Sequence, residues 1–222
     1  MRKRIVIALV LAVLWAASAY GQTADLFRLV NNGTPQDVQA IIDKGAKVNA
    51  QDEYGVTPLM YAARDNPNPE VITTLLKAGA NVNEKDENGL TPLMYAAQQN
   101  QNPLVTAALL KAGAKIEAKD GGPSYQTPLM HAAGMNPNPL VVTVLLKAGA
   151  KIEARDEYGE TPLMIAAELN PNPDVIMVLL KAGADAKAKS DAGRKAFSYA
   201  EDNPSPNLKG TDAYKQLEEA QY

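Results

Sequence analysis

The chain has 222 residues, 46% of them apolar, and its 22 Lys and Arg against 25 Asp and Glu leave a net charge of -3. That balance argues against a nucleic-acid binder, which needs a basic surface to neutralise phosphates. With no cysteine and a single histidine, His131, disulfides, thiolate nucleophiles and Cys-ligated metals are excluded, and a His-based metal site or catalytic triad would rest on one residue.

The first element reads as an address. Met1-Arg2-Lys3-Arg4 is basic, Ile5 to Ala17 is an apolar run of 13 residues, and the small residues Ala17-Ser18-Ala19 and then Tyr20-Gly21-Gln22 follow. This is the order of a secretory signal peptide, assigned to residues 1–21, with cleavage after Ala19 or after Gly21. An uncut membrane anchor is the alternative; the run is short of the ~20 residues that a spanning helix needs. If the segment is cut, no stable membrane insertion is expected. Without a cysteine near the cleavage region, a lipid anchor is ruled out there. The short, Ala-rich segment reads as bacterial, so the mature chain is expected to be periplasmic or secreted.

A repeat governs the remainder. Thr-Pro-Leu-Met starts at Thr57, Thr91, Thr127 and Thr161, and Leu-Leu-Lys-Ala-Gly-Ala starts at Leu75, Leu109, Leu145 and Leu179. Both motifs recur at intervals of 34, 36 and 34 residues, the longer one accommodating Gly121-Gly122-Pro123-Ser124. Within a unit, Asp52 to Val56 favours a tight turn. Thr57 caps a first helix that Pro58 opens, where a missing N–H costs nothing. Leu59, Ala62 and Ala63 share one face of that helix, and Asn66-Pro67 ends it. Pro69 starts a second helix whose inward face carries Val71, Ile72, Leu75 and Leu76, and Gly79 ends it in a left-handed conformation. Two such helices cannot bury their own apolar faces and must stack on neighbours.

The predicted organisation is therefore an all-α solenoid of about six helix-turn-helix units with short hairpin-like loops, over residues 22–222. An N-terminal capping unit spans 22–50, with helices from Ala24 to Val30 and from Pro35 through Ile42. Four full units span 51–84, 85–118, 119–154 and 155–188. A degenerate C-terminal cap spans 189–222, with helices over Phe197 to Glu201 and Thr211 to Ala220.

These units resemble the ankyrin repeat, whose pattern runs D-x-x-G-x-T-P-L-H-x-A-A, a Gly-His turn, then V-V-x-x-L-L-x-x-G-A. The resemblance covers nearly all of the chain after the leader. Two departures stand out. The histidine of the family motif is Met60, Met94, Met130 and Met164 here, with thioether packing expected in place of an imidazole hydrogen bond. The Gly-His turn is Asn-Pro-Asn-Pro at Asn66, Asn136 and Asn170, and Asn-Gln-Asn-Pro at Asn100. That adds one residue to the usual period of about 33.

The resemblance implies binding of another protein through a concave face made of loop tips and the exposed side of the first helices. Carried over position by position, the tip contacts are Glu53, Tyr54 and Val56; Glu87, Asn88 and Leu90; Tyr125 and Gln126; and Glu157, Tyr158 and Glu160. The helix contacts are Arg64 and Asp65, Gln98 and Gln99, Gly134 and Met135, and Glu168 and Leu169. Tyr54, Tyr125 and Tyr158 read either as binding anchors or as cover for the loop backbone. The acidic tips favour a basic partner surface, although Asp52, Asp86, Asp120 and Asp156 recur as turn residues do. The Met column reads as core, His131 as structural, and Lys77, Lys111, Lys147 and Lys181 as solvated charges at helix C-termini.

No phosphate loop, zinc-type cluster or nucleophile elbow is present. The expectation is a non-enzyme with no catalytic residue, no metal and no cofactor. Its partner is a protein, not a nucleic acid. The leading function is an exported adaptor; the alternative is an accessory or inhibitor of a single exported enzyme.

Overall fold

The computed structural model describes residues 21–222 apart from Pro204 and Pro206. The leader reading falls on residues outside the described ones, except for Gly21, which is helical. Helix α1 covers 21–29 and α2 Pro35–Asp43. Four pairs follow: α3 Pro58–Asp65 with α4 Pro69–Lys77, α5 Pro92–Gln99 with α6 Pro103–Lys111, α7 Pro128–Met135 with α8 Pro139–Lys147, and α9 Pro162–Leu169 with α10 Pro173–Lys181. The last pair is α11 Ala196–Asp202 and α12 Asp212–Glu219. No strand occurs among the described residues.

From α3 to α10 the helices are eight or nine residues long, below the ~12–15 residues at which an isolated helix becomes marginal in water. Their stability must come from contact with other helices. From α2 onward those contacts run within a pair or between adjacent pairs: α3, α5, α7, α9 and α11 stack as one row, and α2, α4, α6, α8, α10 and α12 as another. Leu59, Ala62 and Ala63, with their counterparts in the later pairs, are buried in one continuous core, which also takes Val71, Ile72 and Leu75 from the second helix. The small alanines let neighbouring first helices approach closely.

Hydrogen bonding holds the rows in register. A first helix leaves carbonyls without an intrahelical donor at its C-terminus, and here these carbonyls are buried. The buried Asn100 amide donates to Ala63 O at 3.0 Å and Asn66 O at 2.9 Å, both in the preceding repeat. Asn136 bonds Ala97 O and Asn100 O in the same way, and Asn170 bonds Ala133 O and Asn136 O. The ladder begins at Asn66, on Val30 O and Gly33 O, and reaches Asn203, on Ala167 O. Each full rung also accepts on Oδ1 the N–H two residues on, as Asn66 does from Asn68 at 2.9 Å. The second Asn of the motif caps the following helix, Asn68 Oδ1 accepting from Glu70 N–H. Asn66-Pro67 reads from sequence as a helix stop, and in the structure the first asparagine of each such turn also carries the bonds between repeats.

The methionine column lies wholly inside the stack, and it does more than pack. Met60 Sδ accepts the Thr57 N–H at 3.3 Å, while Thr57 Oγ1 accepts the Met60 N–H at 3.4 Å. The same reciprocal pair recurs at Thr91–Met94, Thr127–Met130 and Thr161–Met164. A capping box normally closes with Glu or Gln; here the thioether is the acceptor.

Asn136 occupies the centre of the ladder, so its loss is the sharpest test of it. Asn136→Ala strands two buried carbonyls, at about 1–3 kcal/mol each. The thermal midpoint should fall by several degrees, whereas Gln101→Ala at an exposed turn position should move it by under a degree or so. Equal midpoints for the two variants would show that the ladder contributes little.

Candidate partner-binding face

The loop tips are joined edge to edge along the stack. Glu87 N–H donates to Tyr54 O at 3.1 Å, Gly121 to Asn88 O at 2.7 Å, Glu157 to Ser124 O at 2.9 Å and Asp191 to Tyr158 O at 3.0 Å. These bonds place the tips in a row beside the first helices. Close approach limits what can sit there: a Cβ on Gly89 would lie 2.3 Å from the Gly121 nitrogen.

In the second, third and fourth repeats the tip is tied to its own first helix by an aspartate. Asp52 Oδ1 accepts the Tyr54 and Val56 amides and Oδ2 the Tyr61 hydroxyl at 2.7 Å. Burial opposes ionisation of Asp52, but the Tyr61 hydroxyl and the two amides outweigh it and hold the carboxyl below its usual range. Tyr95 repeats the latch on Asp86 at 2.7 Å. In the next repeat His131 takes over, with Nε2 2.9 Å from Asp120 and Nδ1 2.8 Å from the Gln98 amide. With Gln98 donating, the imidazole is neutral and donates through Nε2. In the fifth repeat the residue at this position is Ile165, which has no polar atom, and Asp156 Oδ2 is buried without a hydrogen-bond partner.

The expected contact residues divide into three sets. Glu53, Tyr54, Asp65, Glu87, Asn88, Gln99, Tyr125, Met135, Glu157, Tyr158 and Leu169 are exposed. Arg64, Gln98, Gln126, Glu160 and Glu168 are half-buried. Arg64 is engaged with Asp65 through two hydrogen bonds of 2.8 and 2.9 Å and lies over the Tyr61 ring, and Gln98 is held by His131. Val56 is a correction: pairing of its carbonyl with Asp52 N–H turns the side chain into the core, where it is 7% exposed. Leu90, its counterpart, is half-buried against the same core, and Gly134 is buried, with Ile165 close beside it.

Tyr125 also needs a new register. By its hydrogen bond to Glu157, Ser124 is the counterpart of Tyr54 and Tyr158. Tyr125 therefore sits where the sister loops have glycine, and it is the one non-glycine among the described residues with positive φ, at 53°. An L-residue in that region costs roughly 1–2 kcal/mol. The longer loop thus presents an aromatic side chain at a local energetic cost, as sites of interaction often do.

Five of the eight exposed large hydrophobic side chains among the described residues belong to this face: Tyr54, Tyr125, Met135, Tyr158 and Leu169, each between 46% and 58% exposed. No cluster of three or more His, Asp or Glu placed to hold a metal occurs among the described residues. None of their helices is long and apolar enough to cross a membrane.

The His131 latch carries a pH signature. Burial lowers its pKa from the ordinary value, with Asp120 opposing. The unfolded chain therefore takes up a proton at higher pH than the folded one. This contribution to stability is complete above the unfolded pKa of about 6.5 and is lost as pH falls below it. His131→Tyr replaces the imidazole with the sister residue's hydroxyl. The thermal midpoint of the natural chain, measured relative to that variant, should fall between pH 7.5 and 5.5; parallel curves would refute the assignment.

The family described as ankyrin repeats (3 copies) matches residues 26–120 and 109–190. No curated protein matches the chain. Among solved structures 556 chains match, so the architecture alone selects no partner. One is a chain from the complex of Bd0816, a predatory endopeptidase from Bdellovibrio bacteriovorus, with the immunity protein Bd3460. It has a TM-score of 0.70 and 31% identity, over 87% of this chain and 96% of that one. With its helix pairs, loop ladder and matching family segments, the chain belongs to the ankyrin-repeat family.

Proposed function

We propose that this chain is an exported protein-binding scaffold that engages its partner with the row of loop tips and the outer side of the first helices. Ankyrin repeats are protein-interaction modules, and the coarse reading follows from family membership. The observation that carries the finer one is the concentration of exposed aromatic and apolar side chains on this face. Isolated exposed apolar residues are ordinary on a protein surface, but a contiguous set marks an interaction site. Tyrosine suits that role because it offers a large, stiff and amphipathic contact at low entropic cost.

A second reading is favoured by one observation. The similar solved chain comes from a complex between an immunity protein and an endopeptidase, and the likeness extends over nearly the full length of both chains. On this reading the partner is a single exported peptidase, and the chain restrains it. A catalytic role for this chain is not part of either reading. Its one imidazole is enclosed between Gln98 and Asp120, which take up both ring nitrogens, and its acidic tips recur with the repeat.

Export has a direct measurement. N-terminal sequencing of the protein from the periplasmic or secreted fraction should begin at Tyr20 or Gln22; recovery of intact Met1 there would refute cleavage.

For the face itself, Tyr54→Ala, Tyr125→Ala and Tyr158→Ala combined should lower partner affinity at least about tenfold. Capture from the exported fraction followed by mass spectrometry separates the two readings. A scaffold retrieves several proteins, whereas an inhibitor retrieves one peptidase whose activity falls on titration with this chain. Undiminished capture by the triple variant would sink the assignment of the face.

A further inference from the structure

The C-terminal end of the face departs from the repeat at two positions that converge. Where Val56, Leu90 and Gln126 precede the helix cap, the fifth repeat has Glu160; where Tyr61, Tyr95 and His131 latch an aspartate, it has Ile165. The first change adds a carboxylate, and the second leaves the buried Asp156 without a donor on Oδ2.

A cavity of about 290 Å³ opens there, lined by residues that include Glu157, Tyr158, Glu160, Asp191, Arg194 and Tyr199. Asp156 is bonded directly to its wall, Oδ1 accepting the Tyr158 and Glu160 amides at 2.9 Å. Arg194 is the one cation among the lining residues, and it is already committed. Its guanidinium bonds Ser198 O and the Asp202 carboxylate and stacks 4.1 Å from the centre of the Tyr199 ring. No hydrogen bond from Arg194 reaches the carboxylates of Glu157, Glu160 or Asp191, although its charge acts on Glu160 from nearby. Burial raises the Glu160 pKa; the Tyr199 hydroxyl, donating at 2.7 Å, works against the rise, and the charges of Asp156 and Glu168 add to it. Among the lining residues three carboxylates, Glu157, Glu160 and Asp191, thus face a single guanidinium, whose charge offsets that of Glu160 only in part.

Resting on the protein-binding reading above, we propose that this cavity receives one lysine or arginine side chain of the partner. The exposed ring of Tyr158 flanks the apolar stem, which long cationic side chains bury readily. Glu160 accepts the charged head at the wall, with Glu157 and Asp191 at the rim, forming charge-assisted hydrogen bonds. The volume of about 290 Å³ falls just below the ~300–1,000 Å³ typical of ligand pockets, a size suited to one side chain. The tips toward the N-terminal end do not duplicate this site: the counterparts of Glu160 there are neutral, and Arg64 sits on that part of the face. The partner is therefore oriented along the stack, with its basic anchor at the fifth and sixth repeats.

The test uses amide NMR spectra of the folded chain titrated with N-acetyl-argininamide, N-acetyl-lysinamide and the neutral N-acetyl-norleucinamide. Both basic probes should give saturable shifts at Tyr158, Gly159, Asp191 and Ala192, and the neutral probe none. Glu160→Gln keeps an acceptor for Tyr199 and should weaken both basic probes about tenfold. Asp191→Asn, at an exposed tip, should weaken them less and leave the fold untouched. Equal response to the neutral probe, unchanged affinity in Glu160→Gln, or titration by calcium chloride alone would each overturn the proposal.

Failure of the face is read separately with Tyr54→Ala and Tyr125→Ala, which leave the cavity intact. If that pair abolishes partner capture while the basic probes do not bind, the face stands and the anchor falls. If the probes bind while the pair leaves capture unchanged, the cavity keeps its chemistry and the tip face is wrong.

Discussion

Buried carbonyls at the end of each first helix are the constraint on which the stack depends. A helix of eight residues leaves half its carbonyls without an intrahelical donor, and stacking removes water from those nearest the core. Leaving them unpaired would cost about 1–3 kcal/mol for each carbonyl. The asparagine after each first helix resolves this by donating both amide hydrogens to the preceding repeat. Because its own carbonyl becomes an acceptor for the next asparagine, every rung fixes the height and rotation of the one after it. The row of tips is aligned as a consequence, and so is the face they form.

Much of this was legible in the residues. The interval between motifs, Thr-Pro at each first-helix start of the full repeats and Gly after each second helix have local causes, and from α2 onward they yield helices within a residue or two of those observed. What periodicity does not show is where a polar side chain finds its partner. Asn66-Pro67 looks like a helix stop because a residue before proline avoids the helical region; the same asparagine's bonds to Val30 and Gly33 span more than thirty residues. Met60 looks like a core residue, and it is one, but the lone pair that caps Thr57 leaves no trace in composition. By residue type Tyr125 pairs with Tyr54 and Tyr158. Only the hydrogen bond from Glu157 to Ser124 sets the register by which it replaces a glycine. Val56 fails for a related reason, since one position in a tight loop decides between solvent and core.

The repeated and unrepeated positions divide the labour. Thr57, Met60, Asn66 and Asp52 have counterparts in nearly every unit, and each is bonded within the scaffold. Between them run columns that change from repeat to repeat: Arg64, Gln98, Gly134 and Glu168 on the first helices, and Val56, Leu90, Gln126 and Glu160 before the caps. Such positions can vary because no inter-repeat hydrogen bond of the backbone depends on them. Along the stack they pass from a cation paired with Asp65, through neutral amides and glycine, to carboxylates. The face therefore has a chemical direction even though its framework is nearly uniform.

That direction bears on the choice between a general adaptor and a restraint on one enzyme. A surface that recognises many partners gains from flexible, interchangeable contacts. This one is held by short bonds at every tip, and its distinctive features sit at particular repeats. Tyr125 is strained at the third loop interface, and Asp156 is unlatched one repeat later. Both cost stability that the sister residues, glycine and tyrosine, would spare. Departures that cost the free protein stability and lie on the exposed face fit a fixed, oriented contact better than a permissive one. A single partner with an apolar ridge to meet the tyrosines and a basic group at one end would use all of them together.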